Sequence, residues 1–433
     1  MRPQMTRSGF PDFPKRALVF GKGRSGVAAA DVLRQGGAEV VVLEGQDLFP
    51  AGDFDLAVTS PGIALDHAWQ RAARERGMRV ISELQLGAQC WRARGGRMLA
   101  VTGSKGKSSV VKLVADALTL AGQPAVPCGN YGLPLCAVCR DHLLAANGEV
   151  GGLPWAVVEV SSFQMETTDL PADAFEAAAL LNLQDDHLDR HGSRAVYHAL
   201  KRRLLTMAQV AIDHSAVTQF DPSRPHASFE VFDAVRPLFR GSYFDNPVLA
   251  ANGAAAVALL RAAGLSDAAV AAGFAAFRPL PHRMAAVCTR DGVAYIDDSK
   301  ATSLAALCAG VAMVAGFREV GAAAAKPRCR LIAGGLAKGD DPNFAIPLLQ
   351  SGVKKVYLIG SCAQQLYDAW FSRVPCEMCG TLENAIVAAR RDALSGEVVL
   401  LSPGTASFDQ FKSYSERGDR FAALAKEGMK NEG

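Results

Sequence analysis

VTGSKGKSSV, residues 101–110, is the stretch that decides the fold. Residues 98–101 are apolar and read as a buried strand, two glycines follow, and Lys107 opens a run in which Val111, Leu113, Val114 and Leu118 recur at helical spacing. Strand, glycine loop and helix in that order can cradle a phosphate. Gly103 and Gly106 permit the tight backbone that turns N–H groups onto phosphate oxygens, and the helix N-terminus adds the positive end of its dipole. Ser104, Lys105 and Ser109 complete the loop, Lys107 reaches the outer phosphates, and the Ser108 hydroxyl suits Mg²⁺. Val101 stands where the strict G-x-x-x-x-G-K-[ST] pattern has its first glycine. A plain surface turn also fits these ten residues, so the rest of the chain must decide.

At 433 residues the chain is too long for one ordinary core, and two or three domains are expected. A hydrophobic content of 49% with 21% charged residues describes a soluble globular protein, and a net charge of +3 gives no electrostatic case for nucleic acid. Pro3, Pro11, Asp12 and Pro14 interrupt any continuous apolar leader, which points to the cytoplasm. The Ala-rich stretch 249–277 is broken by Arg261, Gly264 and Asp267 and reads as two amphipathic helices rather than a membrane span. The ten cysteines include two C-x-x-C pairs, Cys136/Cys139 and Cys376/Cys379; far apart in sequence, they read as small buried hydrophobes rather than a zinc site.

Three blocks of alternating strand and helix signals give an α/β chain with parallel sheets. The first holds RALVFGKGRSG (16–26), EVVVLE (39–44) and DLAVTS (55–60); the second starts at the quoted loop and includes WAVVEV (155–160) and EAAALLNL (176–183). The third opens with a hairpin about Asp291-Gly292 and continues through RLIAGG, KVYLIG and EVVLLSP. In the first block Gly21, Gly23 and Gly26 spell G-x-G-x-x-G, with Glu44 placed like a ribose-binding acid. That match alone suggests NAD, although the same glycines suit any nucleotide diphosphate, or close helix packing with no ligand.

Two further clusters carry chemistry. VVEVSSFQME (157–166) puts Glu159 at the end of a buried strand, where a magnesium ligand beside an ATP loop belongs. LNLQDDHLDRH (181–191) gathers Asp185, Asp186, His187, Asp189 and His191 just after another strand. Together with GSKGKSS, YHALKRRLL (197–205), PHR (281–283), IDDSKATS (296–303) and LLSPGTASFDQFKSYSERGDRF (400–421), these motifs resemble the Mur ligases of peptidoglycan synthesis, most closely their D-glutamate-adding members. The resemblance runs in order along nearly the whole chain.

It implies three domains: residues 1–95, Rossmann-like, for a UDP-sugar; 96–282, a central P-loop ATPase type with a parallel sheet; and 283–433, Rossmann-like, for the amino acid. The implied reaction transfers the γ-phosphate of ATP to the carboxylate of UDP-N-acetylmuramoyl-L-alanine and lets D-glutamate displace phosphate from the acyl phosphate. Lys107, His187, Lys201 and Lys300 become catalytic candidates. Gly103 to Ser109, Asn252, Arg283 and Asp298 are assigned to ATP. Gly23, Arg24, Ser25, Gly26, Glu44, Ser60, Pro61, Gly62, Asn130 and His187 fall to the UDP-sugar, and Thr302, Lys338, Ser407, Phe408 and Tyr414 to D-glutamate. Two Mg²⁺ ions are implied, held by Ser108, Glu159, His187 and Lys201, the last as a carbamate. A cytoplasmic monomer with no nucleic-acid partner and no membrane insertion is expected. Lys105, Ser109 and Tyr131 depart from the residues usual at their places, and only Asn252 matches the family's H-N-x-x-N adenine motif. Another ATP-dependent amino-acid ligase, alanine-adding or of the folylpolyglutamate type, and a regulator that kept the fold without turnover remain alternatives.

Overall fold

In the computed structural model, which describes residues 14–145, 152–184, 186–213, 226–228, 232–246, 248–315, 328–337 and 339–427, the chain divides into two units. Residues 1–242 with 251–277 make the first, and residues 243–250 with 278–433 the second. Asp185 and Lys338 lie outside the described residues.

The first unit contains two sheets. One is built from β1 (Arg16–Phe20), α1 (Arg24–Gln35), β2 (Glu39–Leu43), β3 (Leu56–Thr59), α2 (Ala68–Glu75), β4 (Arg79–Ser82) and α3 (Glu83–Ala93), with parallel strands in the order β2-β1-β3-β4. The loops after β1 and β3 therefore meet where the strand order reverses, and Ser60 N donates to Phe20 O across that point. α1 begins at Arg24, with Gly23 as its N-cap.

The second sheet follows with β5 (Met98–Thr102), α4 (Lys107–Leu120), β6 (Ala125–Gly129), α5 (Leu135–Ala145), β7 (Trp155–Glu159), α6 (Ser162–Met165), β8 (Phe175–Leu180), α7 (Leu188–His191), α8 (Arg194–Arg203), β9 (Ala208–Asp213), β10 (His226–Ser228) and α9 (Phe232–Val235). Its order is β10-β9-β8-β5-β7-β6, every pair parallel. All five residues of β5 and of β7 are buried, as expected of strands covered on both faces. β5 sits at the reversal, so the glycine loop opens between the carboxyl ends of β7 and β8. The Ala-rich stretch forms α10 (Ala250–Ala262) and α11 (Asp267–Ala276). α10 differs from the amphipathic expectation: its small side chains are buried nearly all round. Among the described residues no helix is long and apolar enough to cross a membrane.

The second unit comprises β11 (Ala285–Arg290), β12 (Val293–Asp297), α12 (Leu304–Ala315), β13 (Cys329–Gly334), α13 (Ile346–Gly352), β14 (Val353–Ile359), α14 (Ala363–Trp370), β15 (Cys376–Gly380), α15 (Leu382–Asp392), β16 (Val398–Leu401) and α16 (Tyr414–Lys426). The order is β11-β12-β16-β13-β14-β15, with β11 antiparallel to β12 and the rest parallel. The expected hairpin turns at Asp291 (φ 52°) and Gly292 (φ 73°), whose paired left-handed conformations suit a two-residue hairpin turn. Cys136 and Cys139 are buried as expected, whereas Cys376 and Cys379 on β15 are only half-buried.

Candidate functional site

In the first unit the loop after β5 is shaped by its glycines. Gly106 caps α4 at φ 85°, and a Cβ there would overlap the Asn252 side-chain amide of α10. Only glycine lets Asn252, itself buried, lie against the loop. Lys105 N donates to Asn182 Oδ1 at 2.9 Å, tying the loop to the end of β8. Lys107 Nζ folds back onto Gly103 O (2.8 Å) and Ser104 O (3.2 Å), and Ser108 is half-buried in the first turn of α4.

Lys201, from α8, donates to the same Gly103 carbonyl at 2.9 Å. Burial, reinforced by repulsion from Lys107, brings its ammonium from the ordinary 10.5 down to about 7. Glu159 ends β7 in register with Val101, beside the loop as a parallel sheet requires. Its Oε1 accepts from Asn130 Nδ2 at 2.7 Å, while its Oε2 is buried and, among the described residues, has no hydrogen-bond partner. A buried carboxylate oxygen without a donor is unfavourable unless a cation completes it. The residues present therefore fit Mg²⁺, which is commonly held by one or two carboxylates together with substrate phosphates. His187 adopts a left-handed backbone (φ 52°) at the start of α7; its half-exposed ring lies 4.8 Å from Phe163 and 3.7 Å from Asp186 Oδ2. Asp186 also faces Lys105 at 3.9 Å.

The first sheet holds the residues expected at the UDP-sugar. Gly21 (φ 91°) makes the turn, and a Cβ on Gly26 would overlap the Gly21 carbonyl, so the third glycine serves close packing. Gly23 faces open space at the N-terminus of α1, where backbone N–H groups remain available to an anion. Ser60 lies beside Gly21, and exposed Glu44 is 3.4 Å from Lys22 at the mouth of a cavity of about 460 Å³. Arg24 donates to Gly132 O at 2.7 Å, and the Asn130 amide is engaged by Glu159.

In the second unit the adjacent ends of β12, β16 and β13 carry the remaining candidates. Asp298 is buried; its Oδ2 accepts from Ser402 Oγ at 2.8 Å, and burial raises its carboxyl to about 7 against that bond. Lys300 Nζ lies 3.7 Å from the Tyr414 ring centre, and its hydrogen bond pulls the phenol below its ordinary value. Thr302 is half-buried, Ser407 is buried, and Phe408 is exposed. Arg283 is flanked by His282 (φ 60°) and Met284 (φ 49°), both left-handed, and the His282 ring is held by Asp297 Oδ2 at 2.7 Å. Such strain at two non-glycine residues is a mark of functional loops.

Residues 101–227 match the Mur ligase middle domain. Ligases named for joining UDP-N-acetylmuramoylalanine and D-glutamate are similar along the whole length. That of Frankia casuarinae is 35% identical over 95% of this chain and 94% of its own. That of Thermobifida fusca is 34% identical over 94% and 97%, and that of Acidobacterium capsulatum 32% over 95% and 96%. The chain belongs to the Mur ligase family. Among solved structures, a Thermotoga maritima UDP-N-acetylmuramate–alanine ligase superposes with a TM-score of 0.55 at 16% identity, covering 95% of this chain and 99% of that one. The MurF ligase of the same organism, solved with ADP, gives 0.52 at 15% identity, covering 94% and 93%. These two likenesses speak for the Mur ligase fold.

Tyr197 and Arg417 of this Mur ligase are among the residues that escaped the sequence reading. Tyr197, four residues before Lys201, is buried beneath the loop, its hydroxyl 2.9 Å from Ser104 Oγ and its ring under Lys201 Nζ. Its spacing from Lys201, one turn along the same helix face, was the available signal. Arg417 is buried, makes no ion pair among the described residues, and donates to Ser299 Oγ and Ser299 O (both 3.0 Å), Thr405 O (3.1 Å) and Ala406 O (3.3 Å). It joins the segments that bear Lys300, Ser407 and Tyr414, because Ser299 Oγ also donates to Tyr414 O.

Proposed function

We propose that this Mur ligase joins D-glutamate to UDP-N-acetylmuramoyl-L-alanine at the cost of ATP, yielding ADP and phosphate, in peptidoglycan precursor synthesis. The observation that carries the reading is the meeting of Lys107 and Lys201 at Gly103 O, beside a buried Glu159 with one unsatisfied oxygen. Full-length similarity to relatives named for this reaction supplies the substrates.

A carboxylate attacking a triphosphate brings like charges together, so cations must gather where they meet. Lys107 neutralises the transferring phosphoryl group as it passes to the carboxylate. The D-glutamate amine then attacks the acyl phosphate and phosphate leaves. Mg²⁺, when bound, supplies Lewis-acid charge neutralisation, and Glu159, Ser108 and His187 would hold it. Lys201, with about half its amine deprotonated at pH 7, adds CO₂ to form a carbamate and releases a proton. That turns a cation into an oxygen donor for metal. Asp298, Lys300 and Arg283 serve nucleotide and phosphate, while Thr302, Lys338 and Ser407 take the two carboxylates of D-glutamate, with Phe408 and Tyr414 bordering that pocket. The glycine turn after β1 takes a UDP diphosphate rather than NAD. The reading includes the three-domain division at residues 95 and 282, and a monomer acting in the cytoplasm.

The test is phosphate release from ATP in the presence of UDP-N-acetylmuramoyl-L-alanine and a panel of amino acids. Release that depends on D-glutamate supports the assignment. Activity confined to L-alanine with the unextended UDP-sugar, or to a folate acceptor, overturns it.

A further inference from the structure

Arg190 and Glu166 form an ion pair that the reaction as described does not use. Arg190 Nε donates to Glu166 Oε1 at 3.0 Å and Nη2 to Oε2 at 2.6 Å, a two-pronged pairing with side chains only 17% and 5% exposed. The same Nη2 reaches Ile63 O (3.1 Å) and Pro61 O (3.4 Å), carbonyls of the loop after β3. On its other side Glu166 Oε1 faces His191 Nδ1 at 3.4 Å, and His191 Nε2 meets Ser162 Oγ at 3.0 Å. Burial lowers that imidazole's pKa against the pull of Glu166, and in its neutral form with Nδ1 protonated toward the carboxylate the other nitrogen accepts from the serine. Phe163 packs at the centre: the Arg190 guanidinium lies 4.8 Å over its ring, and the rings of His187 and His191 lie 4.8 and 5.4 Å away.

Arg190 and His191 are the last two residues of the single-turn α7, and both their backbone N–H groups return to His187 O. What fixes these two side chains also fixes where His187 stands. A buried ion pair is no better for stability than well-packed apolar residues of the same size. Its geometry is the more informative property, since a guanidinium fork holds a carboxylate at two points and here a backbone loop at two more.

Resting on the proposed function, we infer that Arg190, set by Glu166, is a positioning residue that couples the UDP-sugar loop at residues 60–63 to the placement of His187. Seating the UDP-sugar steadies the 61–63 carbonyls, which steadies Arg190 and through it α7. The relation is reciprocal, so a loosened Arg190 weakens UDP-sugar capture as well as turnover.

The experiment compares Arg190→Lys, Arg190→Ala and Glu166→Gln with wild type, measuring kcat, the KM of each of the three substrates, and melting temperature. UDP-sugar binding by calorimetry in the absence of ATP is measured alongside. Arg190→Ala is expected to raise the UDP-sugar KM and Kd about 10-fold or more and to lower kcat on the order of 100-fold, the scale of a slight misplacement of a reacting group. The KM for ATP and for D-glutamate should stay within about 3-fold. Arg190→Lys, which keeps charge but loses the fork, should recover only part of the loss, and Glu166→Gln, which keeps shape, should show the same split. Equal rises in all three KM values, or a fall in melting temperature with unchanged UDP-sugar Kd, would overturn the inference. Wild type that binds the UDP-sugar but ligates no D-glutamate would instead count against the function, and the calorimetric comparison still decides the coupling.

Discussion

Lys201→Arg keeps a positive charge but removes the nucleophilic amine. An ordinary lysine is free amine in about one molecule in 3000 at pH 7, whereas Lys201, brought to about 7 by burial and by Lys107, is free amine in about half. The form that reacts with CO₂ is thus enriched roughly 1000-fold. A guanidinium does not deprotonate, so the variant cannot form the carbamate and sets a second permanent cation beside Lys107. It is expected to lose on the order of 1000-fold in kcat, as Lys201→Ala does. The assay is phosphate release in buffer stripped of CO₂ and then resupplied with bicarbonate. Wild type should lose most activity and regain it, more slowly as pH falls below about 7 because the amine is then protonated. Stability gives an independent check. The amine's folded value lies below its unfolded one, so its burial costs most below about pH 7, and the cost fades as pH approaches 10.5. Without CO₂, Lys201→Met should raise the melting temperature at pH 7 and by less at pH 10. A Lys201→Arg enzyme with most of the wild-type turnover, alongside wild type indifferent to CO₂, refutes the reasoning.

Gly106→Ala must hold alanine at φ 85° and push Asn252 aside, which costs about 1–2 kcal/mol for the backbone alone; the KM for ATP should rise about 10-fold or more. Glu159→Gln should raise the Mg²⁺ needed for half-maximal rate about 10-fold while barely moving the melting temperature, since the lost oxygen bonds no protein group; an unchanged magnesium titration would remove Glu159 from the metal. Asp298, raised by burial to about 7, binds its proton more tightly folded than unfolded, so its contribution to stability falls as pH rises from about 4 to 7. Asp298→Asn should therefore stabilise the protein at pH 8 more than at pH 5, read by thermal melting, and abolish ligation.

The strand, glycine loop and helix of residues 98–120 were legible because strand, glycines, lysine and helix are contiguous. Glu159 was legible once the sheet was taken as parallel, since strand ends then share one edge. Tyr197, Arg190 with Glu166, and Arg417 were not, because each matters through at least one partner 24 or more residues away in sequence, up to 129 for Arg190 and Pro61, and in isolation none of them announces that partner. The all-round burial of α10 was hidden for a related reason: a helix of alanines has little pattern of its own, and only its neighbours decide which faces are covered.

The acyl-phosphate route is tested most directly by labelling the terminal carboxylate of UDP-N-acetylmuramoyl-L-alanine with ¹⁸O and weighing the phosphate released during ligation of D-glutamate. The carboxylate oxygen that attacks the γ-phosphorus becomes the bridging oxygen of the acyl phosphate, and it leaves with phosphorus when the amine adds. Each phosphate formed from fully labelled substrate should therefore carry one ¹⁸O, while the new amide keeps the other. Unlabelled phosphate accompanying the same product would mean that ATP is cleaved without touching the carboxylate, and would contradict the account.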